Sequence, residues 1–219
     1  VKYLRNLSKI VNLAKTRGLI QTNPIDLLPL KMQTVEREFL TQDELKRLEE
    51  KQIGVSRLEQ VRDIFLFCCL TGLAYVDVAS LSTENIVEGK RGRQWLRKAR
   101  NKTNNMCNIP LLRPALRILE KYAEYRAATG RLLPVPSNQK MNAYLKELAT
   151  LCGVAKNLTT HCARHTFATT VTLANGASLE NVSKMLGHSS IRMTQHYAKI
   201  LNSSIERDMD KIESELIGE

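Results

Sequence analysis

The sequence predicts a mainly α-helical (α+β) domain with one small three-stranded antiparallel sheet. Apolar residues recur at helical spacing along most of the 219-residue chain, in stretches of several turns each. Near the middle this pattern gives way to three short β-type segments, at 85–87, 94–97 and 107–109, which glycines or an Asn-Asn pair separate. With 43% hydrophobic residues but only 5% aromatic ones, the chain can bury a full core built mainly from aliphatic side chains.

The first 38 residues predict a helix followed by a linker. Leu4, Leu7 and Val11 lie at helical spacing, and Gly18 stands just past the end of this helix. Two X-Pro pairs then lead into a polar stretch. We therefore predict residues 1–22 to be the last helix of a separate N-terminal domain, 23–38 a linker, and 39–219 the second domain.

The second domain opens with strong helix signals. Thr41 and Glu44 are spaced as a capping box, and Leu40 can pack onto Leu45 across the first turn. An apolar helix is predicted at 57–71, closed by Gly72, and a short one at 75–81. After the sheet, further helices are predicted at 112–128, 138–151, 159–174, 179–186, 190–197 and 202–216.

Charge and cysteine content narrow the class of partner. The net charge of +11 favours a polyanion, because every phosphate that a basic side chain neutralises releases condensed counterions. Five cysteines without C-x-x-C spacing indicate neither a disulfide framework nor a zinc ribbon, and a reducing cytoplasm fits them best. No apolar run approaches 18 residues, so a membrane partner is not expected.

The helix at 159–174 carries the first cluster of reactive side chains. A threonine at 159 or 160 can cap it, and His161, Arg164 and His165 share one face at i, i+3, i+4 spacing. A capped helix N-terminus beside Arg and His side chains suits an anion, and we expect the opposite, apolar face to be the buried one. His161 and His165 are also spaced as a zinc pair, but the H-E-x-x-H glutamate is absent.

The second cluster lies between Ser178 and Tyr197. Ser178 can cap a short helix that Gly187 ends, which places His188 at a fixed corner. The next short helix carries Thr194 and Tyr197. By itself a tyrosine at this spacing is more often a core residue than a nucleophile.

Taken together, these residues resemble the C-terminal signature of the tyrosine recombinase (phage-type integrase) family. The motifs agree in order and spacing from about residue 39 to 200. They are Thr71-Gly72-Leu73, Lys102-Thr103, His161-x-x-Arg164, Leu186-Gly187-His188 and Thr194-x-x-Tyr197. The resemblance implies a helical recombinase catalytic domain, preceded by a DNA-clamping, core-binding domain of which residues 1–22 would be the end.

The resemblance also implies a role for each matching residue. Tyr197 corresponds to the nucleophile that forms a 3′-phosphotyrosyl link and frees a 5′-hydroxyl. Arg164 corresponds to an arginine that holds the non-bridging oxygens, and His188 to another phosphate contact. His161 corresponds to the residue that assists proton transfer at the nucleophile, and Lys102 to the acid that protonates the leaving oxygen. No metal or other cofactor is implied.

One position departs from the family pattern. The first catalytic arginine normally follows Thr-Gly-Leu, where this chain has Ala74. We hypothesise that Arg100 replaces it, because Arg100 and Lys102 would face the same side of a strand, with Arg97 as the second candidate. Asp77 lies where the family often has an acidic residue and is expected to support the site. The neighbouring cations expected to contact the DNA backbone are Arg91, Arg93, Arg97 and Lys98.

The resemblance leaves alternatives open. One is a DNA-binding pseudo-recombinase that lost turnover with the arginine at position 74. Another is a metal-dependent phosphodiesterase that uses His161, His165 and His188, and type IB topoisomerases share the expected chemistry. The family reading implies double-stranded DNA and a homotetramer, with accessory DNA-bending proteins, in the bacterial nucleoid, and a mobile-element integrase is favoured. The last helix, 202–216, is then expected to dock on a neighbouring subunit.

Overall fold

The computed structural model describes residues 2–28, 38–198, 209–210, 212–214 and 216, with the side chains of all but Lys2, Arg91 and Ala198. It divides into two compact units, Val1–Glu36 and Arg37–Glu219. The sequence-predicted helix at 202–216 lies largely outside the described residues. Of its apolar positions, Met209, Ile212 and Leu216 are exposed, and Ile205 is not described.

The first unit is a helix with a turn folded against it. Helix α1 (Lys2–Thr16) is followed by a 3-10 turn, Pro24–Leu27. The Nδ2 atom of Asn23 donates to Asn12 Oδ1 at 2.8 Å, and the backbone N–H of Ile25 donates to Asn23 Oδ1 at 2.9 Å. The beginning of the sequence-predicted linker is therefore held on α1. That residues 1–22 are the end of a DNA-clamping domain stays a prediction.

The second unit confirms the mainly helical prediction. Its α-helices are α2 (Gln42–Glu50), α3 (Ser56–Thr71), α4 (Tyr75–Ala79), α5 (Arg113–Lys121), α6 (Ala123–Thr129), α7 (Asn138–Leu151), α8 (Thr160–Thr166), α9 (Leu179–Met185) and α10 (Arg192–Ala198). Helix α3 lies at the centre, against α2, α5, α7 and α8, because it is apolar on nearly every side. None of the helices in the described ranges is long and apolar enough to cross a membrane.

The predicted capping box at the start of α2 is confirmed. Thr41 Oγ1 accepts the backbone N–H of Glu44 at 3.3 Å, and a Glu44 carboxylate oxygen accepts that of Thr41 at 2.8 Å. Leu40 and Leu45 are both buried in the core. Lys156 Nζ also donates to the Glu44 carboxylate at 2.6 Å, which ties the start of α2 to the loop before α8.

The sheet is a three-stranded antiparallel meander in the order β1 (Ile86–Glu88), β2 (Gln94–Ala99), β3 (Met106–Pro110). Leu96 in the middle strand pairs with Ile86 on one side and Ile109 on the other. Leu96 is buried in the core while the adjacent Arg97 is exposed, as strand alternation requires. The hairpin between β2 and β3 projects toward α9, and it carries Arg100 and Lys102.

The helix predicted at 112–128 is broken at Tyr122. The backbone there leaves helical geometry, with φ −103° and ψ 25°, so that α5 and α6 are separate helices. Lys121 Nζ and the Tyr122 hydroxyl both donate to the buried carboxylate of Asp63, at 2.7 and 3.0 Å. Because an uncompensated buried carboxylate is costly, these tertiary bonds explain a break that the local pattern does not indicate.

The helix predicted at 159–174 is also altered. Helix α8 runs into a π-helical segment, Phe167–Thr172, and then a 3-10 turn, Leu173–Asn175. The expectation that only one face would be buried is wrong, because every side chain from 162 to 170 is buried. The cause is tertiary: α8 packs on α3, and the π segment packs on both α3 and α10.

Candidate active site

Arg164 is held at the centre of the second unit by two backbone carbonyls. Its side chain is buried, and its Nη1 and Nη2 atoms donate to Gly72 O and Leu186 O, each at 2.6 Å. The guanidinium therefore joins the loop after α3 to the loop after α9. Five N–H groups are available on a guanidinium, so these two bonds fix its plane and leave donors for an anion.

Arg100 lies beside Arg164, although 64 positions separate them in the sequence. Only 11% of its side chain is exposed, and its Nε lies 3.9 Å from a carboxylate oxygen of Asp77, which is almost fully buried. The other Asp77 oxygen accepts the backbone N–H of Asn101 at 2.9 Å. Asp77 stands one turn past Ala74 on α4 and thus anchors the root of the hairpin, which directs Arg100 inward.

Arg100 is close enough to Arg164 to affect the pKa of the Arg164 guanidinium. Burial, followed by the positive charge of Arg100, lowers the pKa of Arg164 to about 10, so Arg164 remains a cation at neutral pH. Like charges that are desolvated together attract an anion, because an anion between them relieves their repulsion. The arrangement suits a phosphate group.

His188 and Tyr197 complete the cluster. Tyr197 is buried on α10, and its ring is stacked nearly parallel to that of His188, with 6.5 Å between centroids. The Nδ1 atom of His188 lies 2.7 Å from the hydroxyl oxygen of Thr194, one turn before Tyr197. Burial and the charges of Arg164 and Arg100 lower the pKa of His188 to about 4, so this imidazole is neutral at pH 7.

Ring contacts with a second histidine, His165, connect His161 to Tyr197. His161 is exposed at the start of α8, and its ring meets that of buried His165 edge-on, with 4.5 Å between centroids. The His165 ring lies 5.2 Å from the Tyr197 ring. The predicted N-cap of this helix is confirmed, since Thr159 Oγ1 accepts the backbone N–H of Cys162 at 3.0 Å.

The corner that places His188 depends on Gly187. Ser178 caps α9 as predicted, and Gly187 ends the helix with φ +60°. A Cβ atom at Gly187 would lie 2.7 Å from Cys107 Sγ and 2.9 Å from Arg100 Cδ. Both the backbone conformation and the close packing therefore require glycine here.

Gly187→Ala is expected to lower the free energy of unfolding by about 2–4 kcal/mol, from the left-handed backbone and the contact with Cys107 and Arg100. Gly54→Ala is the matched control, because Gly54 has φ +67° but nothing within 4 Å of an added Cβ. We expect it to cost only about 1 kcal/mol. Urea unfolding measures both values, and equal losses would show that the close contact at Gly187 is relieved without cost.

Lys102 lies in a turn and not on a strand, contrary to the prediction from the sequence. Strand β2 ends at Ala99 and residues 101–103 form a turn, so the expectation that Arg100 and Lys102 share a strand face is wrong. Arg100 points inward, whereas Lys102 is exposed at the hairpin tip. Within the described part of the chain, the Lys102 side chain makes no hydrogen bond or ion pair.

The basic residues expected to contact DNA lie on and beside β2. Arg93 and Arg97 are exposed, and Lys98 is half-buried, with its Nζ 3.4 Å from Ser80 O. Arg91 lies in the turn before β2, and the structure does not describe its side chain. Arg97 is exposed, whereas Arg100 is largely buried and near Arg164, so Arg100 is the better candidate for the place of the missing arginine.

Sequence reasoning missed several groups that hold the site together. The carbonyls of Gly72 and Leu186 orient Arg164, and Asn105 Nδ2 donates to Gly187 O at 3.2 Å, which ties the hairpin to the His188 corner. The Asn-Asn pair that signalled a turn was the available clue, and Asn104 adopts φ +55°. Among the described residues, no three His, Cys, Asp or Glu side chains are grouped as metal ligands.

Two guanidiniums, a neutral imidazole and a buried phenol thus form one cluster, whose positive charge suits an anion. A family model described as "Phage integrase family" matches residues 38–203. The chain therefore belongs to the phage integrase family, as its motifs predict.

Two curated relatives are tyrosine recombinases. XerA of Pyrococcus furiosus is 30% identical over 183 residues, which are 77% of this chain and 60% of that protein. XerD of Staphylococcus saprophyticus is 42% identical over 71 residues, which are 32% of this chain and 24% of that protein. The chain thus spans at most 60% of the length of these two relatives.

Solved recombinase structures share the fold. The Tn1549 transposon integrase in complex with a circular intermediate DNA superposes with a TM-score of 0.69 at 18% identity, over 95% of this chain and 77% of that one. A lambda integrase dimer bound to a COC′ core site gives 0.67 at 21% identity, over 89% and 70%. The XerA recombinase crystal structure gives 0.63 at 23% identity, over 93% and 73%.

Proposed function

We propose that this chain is the catalytic part of a site-specific DNA recombinase, or integrase, that cuts and rejoins DNA through a 3′-phosphotyrosyl intermediate. The observation that carries the proposal is the convergence of Arg164, Arg100 and His188 around the buried phenol of Tyr197. Family membership and the DNA-bound integrases that share the fold support double-stranded DNA as the substrate.

The proposed chemistry is a transesterification. The Tyr197 hydroxyl oxygen attacks the scissile phosphorus, a new oxygen–phosphorus bond forms, and the bond to the 5′ oxygen breaks. Arg164 and Arg100 hold the non-bridging oxygens as negative charge builds, which is the step that fixed donors stabilise most. Attack by a 5′-hydroxyl reverses these events and reseals DNA, so no external energy source or cofactor is required.

Two proton transfers accompany the attack. The phenol proton leaves on the side of His165 and His161, whose rings connect Tyr197 to solvent. Lys102 supplies the proton that the 5′ oxygen takes up, and its exposed ammonium group on the hairpin tip is accessible to bound DNA. Because the phenol loses its proton as it attacks and the 5′ oxygen gains one as it leaves, neither a free phenolate nor a free alkoxide has to form, and the reaction can run near neutral pH.

Ala74 supports one alternative of a different class, a pseudo-recombinase that binds DNA without turnover. Loss of one cation from a phosphate clamp costs about 10²–10³-fold in rate, which is enough to abolish useful activity. The neighbouring Arg100 guanidinium favours the enzyme over this alternative. The mobile-element role, the homotetramer, the accessory DNA-bending proteins, the nucleoid location and docking of the last helix on a neighbour remain parts of the proposal.

DNA affinity is expected to depend strongly on salt. Arg93→Gln with Arg97→Gln should lower the slope of log affinity against log salt concentration by about 2, because each phosphate contact contributes about 0.9. Fluorescence anisotropy with a labelled duplex between low and high salt measures the slope. Arg57→Gln is the control, since Arg57 lies outside this stretch and pairs with Glu147 at 3.0 Å. An unchanged slope in the double variant would remove these residues from the DNA interface.

Covalent capture tests the function. The protein, with whatever upstream region its gene encodes, is mixed in EDTA with nicked duplexes that cover the DNA flanking its own gene. We expect a protease-sensitive, slower band on a denaturing gel, with protein attached to a 3′ end. DNA binding without this band would support the pseudo-recombinase, and cleavage that EDTA abolishes would support a metal-dependent phosphodiesterase.

A further inference from the structure

The hydrogen bond between Thr194 and His188 links the corner after α9 to the helix that carries Tyr197. Thr194 is fully buried, and its Oγ1 atom lies 2.7 Å from His188 Nδ1. Thr194 and Tyr197 are three positions apart on α10 and therefore lie on one face of it. Besides the stacking of Tyr197, this bond is a second contact between α10 and an imidazole beside the proposed phosphate site.

The direction of this bond follows from what the Thr194 hydroxyl can reach. Thr71, Thr166 and Thr169 donate to the carbonyl four residues back, at 2.7–2.9 Å, as buried helical threonines commonly do. Thr194 stands in the first turn of α10, where that carbonyl precedes the helix. Among the hydrogen bonds of the described residues, His188 Nδ1 is the partner of its hydroxyl. A buried O–H without an acceptor is costly, so the hydroxyl donates and Nδ1 accepts.

A neutral imidazole that accepts at Nδ1 carries its proton on Nε2. We propose that Thr194 is a positioning residue that locks His188 in the Nε2–H tautomer, so that the uncharged imidazole presents a hydrogen-bond donor to the scissile phosphate. The opposite tautomer would turn a lone pair toward a phosphate oxygen and repel it. This inference rests on the proposed function for its catalytic consequence, but the tautomer is a property of the DNA-free protein.

The neighbours of His188 explain why the tautomer matters. Arg164 on α8 and Arg100 on the β2–β3 hairpin place positive charge against the imidazole, and the Tyr197 ring stacks beside it. These cations disfavour the doubly protonated form of the imidazole. In that form both ring nitrogens carry a proton, so Nε2 could donate with or without Thr194. A neutral histidine therefore needs Thr194 to hold its one proton on the correct nitrogen.

Nitrogen-15 NMR of the imidazole rings tests the tautomer directly. The chain has 4 histidines, and a His188→Gln sample assigns the His188 signals. We expect the Nε2–H pattern in the parent protein and in Thr194→Ser, and a mixture of tautomers in Thr194→Val, which keeps the shape but lacks the hydroxyl. An Nδ1–H pattern in the parent, or an unchanged pattern in Thr194→Val, would overturn the inference.

Single-turnover cleavage against pH tests the consequence. Thr194→Val should cleave about tenfold more slowly than the parent at pH 8, roughly the value of one hydrogen bond, and Thr194→Ser should restore most of the rate. The defect should shrink as pH falls to 5.5, because bound phosphate offsets the two guanidinium charges and His188 can then gain a second proton. A defect that is constant with pH would indicate a merely structural threonine. If the parent itself does not cleave, the proposed function fails while the NMR result still decides the tautomer.

Discussion

Tyr197→Phe is expected to bind DNA as tightly as the parent protein and to form no covalent complex. Only the hydroxyl oxygen is lost, and the phenyl ring keeps its contacts with His165 and His188, so the fold should be unchanged. Removing the nucleophile of a covalent mechanism costs at least about 10⁴-fold, which places the product below detection on a gel.

The matched control is Tyr144→Phe. Tyr144 is half-buried on α7, and Arg57 lies 4.7 Å above its ring, a contact that phenylalanine retains. This variant should form the covalent complex at the parental rate. A shifted band that persists in Tyr197→Phe would assign the nucleophile to another residue, and mass spectrometry of the DNA-linked peptide would identify it.

Arg100→Ala is expected to slow cleavage by about 10²–10³-fold with little change in DNA affinity. The guanidinium next to Arg164 would contact the phosphate mainly as its charge increases, so its loss should affect the chemical step more than binding. Arg97→Ala, two positions before the end of β2, removes an exposed guanidinium from the same basic stretch. It should weaken binding in low salt and leave the rate of cleavage in saturated complexes unchanged.

Two further variants separate catalysis from stability. Removing Arg100 leaves the buried Asp77 carboxylate without its ion pair, so urea unfolding is measured alongside cleavage. Ala74→Arg in the Arg100→Ala background puts an arginine at the position where the family normally has one. Partial recovery of cleavage is the expected result. If Arg100→Ala cleaves as fast as the parent, Arg100 has no part in the phosphate clamp.

Local signals in the sequence were sufficient for most of the fold. The capping box at Thr41, the serine cap of α9 and the glycine that ends it depend on residues within one turn, and each is present as predicted. The order of the helices up to residue 198 and the small sheet are confirmed for the same reason, because apolar periodicity is a property of a short window. Family membership also follows from short motifs, because their residues and their order along the chain can be recognised without knowing their contacts.

The exceptions were set by groups that are distant in the sequence. The break at Tyr122 follows from Asp63 on α3, and the burial of α8 on both faces follows from its place between packed helices. Both Asp63 and the helices that cover α8 lie outside the short stretch of sequence from which each helix is predicted. A periodic pattern can assign a helix, but it cannot show which tertiary bonds will interrupt or cover it.

By itself the sequence determined the class of this protein, and it predicted most of the side chains of the candidate site: Arg164, His161, His188 and Tyr197. Only the tertiary structure showed which cation among the seven basic residues from 90 to 102 lies near Arg164. The choice depends on where β2 ends and on the buried carboxylate of Asp77, which together direct Arg100 inward and leave Lys102 at the surface. Charge is a property of composition, but its placement beside Arg164 requires a folded chain.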